Sequence, residues 1–179
     1  MPFLRRSVLT PVSRGVSEAV RPPPEPVRYT HVAYGVELCV VFGAYLLAGQ
    51  VGLAVPFTSG NVSPVWPAAG VALAAFILVG YRVWPAIAAG AFAVNYFSPI
   101  SPEAALAIAG GNTAGPVLGA WLVRRLPGFR PTLARLDDVL CLIGIAVPAS
   151  AGVSATVGVS VLFLTNVDPW AHSWPAWLV

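Results

Sequence analysis

The 179-residue sequence has no lysine, two cysteines, two histidines and only 9% charged residues. Each shortage excludes something. A soluble domain carries about a quarter of its residues charged, so no water-exposed surface can be built from this composition. Cys39 and Cys141 are far apart and lack Cys-x-x-Cys spacing, which excludes a disulfide framework or a zinc site; they read as free thiols buried in apolar runs. His31 and His172 fall on opposite sides of the topology derived below, so they form no metal pair. The carboxylates are scattered and no nucleophile stands near a usable histidine. Gly110-Gly111 lies inside an apolar run and not at a strand-to-helix junction, so it is no phosphate cradle. No enzymatic activity, no metal and no cofactor are expected. Nor is a nucleic-acid partner, because the arginines fall only in the N-terminal tail and between apolar runs, not on one aromatic-studded face.

What is present is apolar: 57% of the residues are hydrophobic and the mean hydropathy is +0.77. The expected fold is an all-α integral membrane protein, a polytopic helical bundle of about five transmembrane helices plus the start of a sixth. Residues 1–31 hold five of the ten arginines and the run Arg21-Pro-Pro-Pro-Glu-Pro, and read as a disordered cytoplasmic tail. Residues 32–179 form the membrane domain. Its apolar segments run from about Tyr34 to Val55, Val62 to Gly80, Val83 to Phe97, Ala104 to Val123 and Val139 to Leu164.

Two of these segments open with Val-Trp-Pro-Ala, at Val65 and Val83. Proline suits a first helical turn, whose amide has no intrahelical partner, and tryptophan suits the headgroup layer. Small residues recur every fourth position in three segments: Gly35, Cys39 and Gly43; Ala107, Gly111, Gly115 and Gly119; and Gly144, Pro148, Gly152, Thr156 and Ser160. Such stripes let helices approach closely in lipid, and a homodimer or another membrane protein could dock on them. Pro116 among the glycines of the fourth segment predicts a kink or local unwinding. Asp137 or Asp138 is placed to cap the helix that follows.

Charge sets the direction. With the tail inside, five spans place the Tyr81-Arg82 turn and the Arg124–Asp138 loop inside as well, so every arginine is cytoplasmic. The segments 56–63, 98–103 and 165–173 fall outside and contain no arginine. Trp174-Pro-Ala-Trp-Leu-Val179 then opens a sixth span, and the chain is expected to be a fragment.

Two groups of residues are candidates for a role. Glu37, the one carboxylate within an apolar run, either reaches the interface alone or pairs with Arg82 in the same leaflet. Asn61, Ser63 and Trp66 before the second span, Asn95 near the outer end of the third and Asn112 within the fourth either line an outward-facing pocket for a small ligand or bond to neighbouring helices.

Several stretches resemble one known family. Asn61-Val-Ser-Pro-Val-Trp-Pro-Ala-Ala-Gly70, Gly80-Tyr-Arg-Val-Trp-Pro85 with Gly90 and Asn95, Gly111-Asn-Thr113 and Arg135-Leu-Asp-Asp-Val-Leu140 are similar to the bacterial membrane-associated sensor domain, the first of the MASE families (MASE1-type). The resemblance implies a helical input module placed before histidine kinase, diguanylate cyclase or phosphodiesterase domains, in the bacterial inner membrane. It also implies that the chain holds only the N-terminal part of that module. The function expected is signal input, and the alternative is a transporter or substrate-binding membrane subunit.

Overall fold

The computed structural model describes residues 31–54 and 66–165. All regular structure among these residues is helical, with no strand. α1 (His31–Leu53) is followed by α2 (Pro67–Leu78), a 3-10 turn (Tyr81–Val83) leading into α3 (Trp84–Tyr96), α4 (Pro102–Arg124), α5 (Leu136–Cys141), a π-helical segment (Leu142–Ala146) and α6 (Val147–Leu164). The tail, Asn61, Ser63 and the Trp174–Val179 segment lie outside the described residues. α1 includes His31, Val32 and Ala33, ahead of the apolar segment expected from about Tyr34.

Among the described residues, three helices are long and apolar enough to cross a membrane: His31–Leu53, Pro102–Arg124 and the continuous run Leu136–Leu164. α2 and α3 have 12 and 13 residues and reach about 18 and 20 Å, short of the ~30 Å of a hydrocarbon core. Both begin as their sequence suggests, with proline in the first turn. Gly80 ends α2 with φ +107°, a backbone that only glycine adopts without strain, and its N–H returns to the Ala75 carbonyl at 3.2 Å. That turn sends α3 back alongside α2.

α4 sits at the centre. It packs on α2 and α3 on one side and on α6 on the other, while α1 rests on α2 and α3. Tyr45, Phe76, Val83, Ile87, Val94, Pro116 and Val123 are the largest fully buried side chains. Outside this core, Val32, Val36, Val40, Leu47 and Val51 of α1 are exposed at helical spacing, an apolar stripe that suits lipid and not water.

Only one of the three small-residue stripes packs as expected. A Cβ on Gly111 would lie 2.6 Å from Val157, one on Gly119 would lie 2.5 Å from the Ala146 carbonyl, and one on Gly115 would collide with the Ser150 carbonyl. Ala107, the first member, is exposed. On α6 the matching face is therefore Ala146, Ser150, Ser154 and Val157, two residues out of phase with the Gly144–Ser160 series; Gly144 and Gly152 have nothing within reach of an added Cβ. On α1, Gly35 and Gly43 are likewise open and Cys39 is exposed, so that thiol is not buried; Cys141 is half-buried. The close approaches of α1 use Gly49 against Val94 and Gly52 against Trp66. Small residues occupy more than one face of α1 and α6, and the face that packs is chosen by the partner's shape.

Pro116 does not unwind α4, which is helical from Pro102 to Arg124. Its ring is buried between packed helices, which hold the backbone in place. The irregularity appears next to the other internal proline, Pro148, whose ring would press on the Gly144 carbonyl in a regular helix. There the turn widens to π geometry, and the Val147 N–H bonds five residues back to Leu142.

Gly115→Ala is expected to destabilise the protein by about 1–3 kcal/mol through overpacking, whereas Gly110→Ala, with open space at its Cβ, should be neutral or stabilising by up to about 1 kcal/mol. Thermal unfolding of both variants in detergent checks the contrast. Equal melting temperatures would contradict the α4–α6 packing.

Candidate functional site

The charged side chains of the described residues lie toward the two ends of the bundle, with uncharged polar residues such as Asn112, Thr113, Ser150 and Ser154 between them. At one end lie all five described arginines. The 3-10 turn carries Arg82, whose Nη2 donates to Glu37 Oε1 on α1 at 2.8 Å, while the Tyr34 hydroxyl donates to the Arg82 backbone carbonyl at 2.9 Å. These two bonds tie α1 to the α2–α3 turn. Arg82 is a third exposed in its side chain and Glu37 one-fifth, so the pair is partly dehydrated, and Glu37 Oε2 is buried without a hydrogen-bond partner.

Arg124 works on the next helix over. It ends α4, and its Nη2 donates to the carbonyls of Phe76 and Ile77 at 3.1 and 2.6 Å. The last carbonyls of any helix lack intrahelical donors, and here a guanidinium supplies them, with Tyr81 beneath it at 5.6 Å. After α4 the chain folds over Asp138, which is 3% exposed and accepts the Arg130 backbone N–H on Oδ1 at 3.0 Å. The expected capping role is thus not what the carboxylates do. The residue preceding α5 is Arg135, no side chain caps the helix, and Asp138 holds the preceding loop instead. Asp137 pairs with Arg135 at 3.0 Å in an exposed contact of the kind worth little.

The opposite end carries Trp66 and Asn95. Trp66 precedes α2 and covers Gly52 of α1, where an added Cβ would lie 2.9 Å from the ring. Tyr45 is fully buried against Gly90, and its hydroxyl lies close to the Trp66 indole. Neither Tyr45 Oη nor Trp66 Nε1 meets a partner in good hydrogen-bond geometry. Asn95 donates to the Ala91 carbonyl of its own helix at 2.8 Å, and Thr113 does the same to Ala109 at 2.8 Å. Asn112 is half-buried in the middle of α4. Among the described residues no hydrogen bond joins Trp66, Asn95 and Asn112 to one another. Tyr45 is the site neighbour that sequence reading passes over, because a single tyrosine in an apolar helix carries no motif.

No group of three metal-ligating side chains occurs among the described residues. The comparison with protein-family models gives one match, to MASE1, over residues 37–179. The chain belongs to the MASE1 family. MASE1 is a family of membrane-associated sensor domains, a sensory input and not a catalytic class. The MASE1 match starts at Glu37, within α1, and takes in all the later described helices. No curated protein and no solved structure matches the chain.

Two outcomes test this geometry. Arg124→Gln should cost about 1.5–3 kcal/mol by stripping charged hydrogen bonds from the α2 terminus, and Arg135→Gln less than about 0.5 kcal/mol. A double-mutant cycle of Glu37→Gln and Arg82→Gln should give a coupling of about 0.5–1 kcal/mol. Denaturant unfolding in micelles measures both, and a zero coupling energy would show that the α1 tie carries no stability.

Proposed function

We propose that this MASE1 chain is the signal-input part of a bacterial inner-membrane signalling protein. In this reading all five helical segments pass through the membrane and the N-terminal tail is cytoplasmic. The family match carries the proposal. Charge supports its direction: the arginine end includes the α2–α3 turn and the α4–α5 loop, and translocated loops are the ones that lose arginine.

The stimulus enters, on this reading, at the end bearing Trp66 and Asn95, to which Asn61 and Ser63 belong by sequence and toward which Asn112 lies along α4. The unpartnered Tyr45 hydroxyl and Trp66 indole support that placement, since buried polar groups without partners are costly and a ligand or water relieves them. A ligand binding there shifts the packing of α1–α3 against α4–α6, and the arginine end transmits the shift to a kinase or cyclic-di-GMP enzyme. The small-residue faces left open, Gly35 with Gly43 and Gly144 with Gly152, are where a second copy or another membrane helix would sit.

With Cys39 and Cys141 replaced by serine, a cysteine at Ser98 should react with an impermeant maleimide in intact spheroplasts, and one at Thr132 only after lysis. Labelling of Thr132→Cys from outside would reverse the topology. In cells, Gly115→Leu should alter the phosphotransfer or cyclic-di-GMP output of the associated enzyme. Solute accumulation by vesicles holding the protein, with no change in any signalling output, would favour transport.

A further inference from the structure

α4 turns one narrow face out of the bundle. Leu106, Gly110, Ala114, Leu118, Trp121 and Arg125 are all exposed, and their spacing of four and three residues sets them on a single line along the helix. At 1.5 Å per residue the line is about 28 Å long, close to the ~30 Å thickness of a hydrocarbon core. It is uncharged and mostly apolar until its last turn. There it ends in Trp121, 43% exposed, with the Arg125 guanidinium 4.5 Å from the indole centroid.

The adjacent arginines are used in opposite ways. Arg124 points inward to the α2 carbonyls, while Arg125 lies outward on the lipid-facing line, in cation–π contact with Trp121. The two ion pairs among the described residues engage Arg82 and Arg135, so Arg125 has no carboxylate partner there. The N–H fork of a guanidinium without a carboxylate partner matches a phosphate through two parallel hydrogen bonds.

We propose that Trp121 and Arg125 form a binding site for the phosphate of an anionic phospholipid. Depth selects a lipid over a free anion: the pair closes an apolar line one membrane thickness long, at the level where tryptophan favours the headgroups. Charge selects an anionic headgroup. Between positions 124 and 138 there are four arginines and two aspartates, so the surroundings repel a choline ammonium and attract a headgroup without a cation. Nothing in this site depends on the sensor reading; it requires only that α4 lie in a bilayer.

The test uses the intact protein in nanodiscs made from equal parts of phosphatidylglycerol and phosphatidylcholine, with retained lipids counted by native mass spectrometry. The wild type should retain phosphatidylglycerol preferentially. Arg125→Gln should lower that preference about five-fold, the loss of one arginine near an anionic surface, and Arg135→Gln should leave it nearly unchanged. Arg125→Lys, which keeps the charge and so guards against misfolding, should fall between the two because an ammonium lacks the planar fork of a guanidinium. Equal retention of both lipids by the wild type overturns the proposal, as does an undiminished preference in Arg125→Gln. Addition of inorganic phosphate should not displace the lipid; displacement would assign the site to free anions.

Discussion

The Ser150 carbonyl occupies the space that a side chain at position 115 would need, and the rest of the bundle depends on that closeness. Helices in lipid gain little from burying apolar side chains against each other, because the acyl chains are as apolar as they are. Contact must come from backbone approaching backbone. Gly111, Gly115 and Gly119 give α4 a groove for α6, and Ser154 adds a hydrogen bond to the Gly111 carbonyl at 3.2 Å. The opposite side of α4, with Ala109, Ala120 and Val123, receives α2 and α3. α4 is thus shaped on three sides: a groove, a core face and the lipid line ending at Trp121.

The π turn fits this constraint. α6 must present Ala146 and Ser150 to α4 while α5, only one turn earlier, must present Asp138 to the loop. The wider turn over Leu142–Ala146 lets both faces be met, and Pro148 beside it disfavours a regular helix there. At the same end, polar contacts tie the elements together. Arg124 supplies donors to the α2 carbonyls, Arg82 meets Glu37, and Asp138 meets the Arg130 amide. Buried polar atoms without a partner occur at both ends: Glu37 Oε2 and Asp138 Oδ2 here, Tyr45 Oη and Trp66 Nε1 at the far end.

Much of this was legible in the sequence because lipid imposes simple rules. Composition alone excluded a soluble fold, the proline-tryptophan starts marked α2 and α3, and Glu37 and Arg82 stand one turn from the same end of their segments. The glycine stripe of α4 was readable because three glycines in phase leave one choice of face. On α1 and α6 small residues lie on several faces, so spacing could not choose between Gly35–Gly43 and Gly49–Gly52, or between Gly144–Gly152 and Ala146–Ser154. Asp138 was misread for a related reason: a carboxylate in a first helical turn looks like a cap, and only the fold of the preceding loop reveals that it holds the Arg130 amide. Tyr45 was invisible since its role comes from Gly90 and Trp66, distant in sequence.

The central claim is the helix register that brings all described arginines to one end, and it is tested most directly by a disulfide across the parallel helices α1 and α3. A Cβ on Gly49 would stand 3.4 Å from the Val94 Cβ, near the usual ~3.5–4.5 Å separation in a disulfide. In native membranes, with Cys39 and Cys141 replaced by serine, Gly49→Cys with Val94→Cys should oxidise to an intramolecular bond. Failure of that pair, together with bond formation between Gly49→Cys and Val83→Cys at the other end of α3, would contradict the register and the one-sided placement of charge that rests on it.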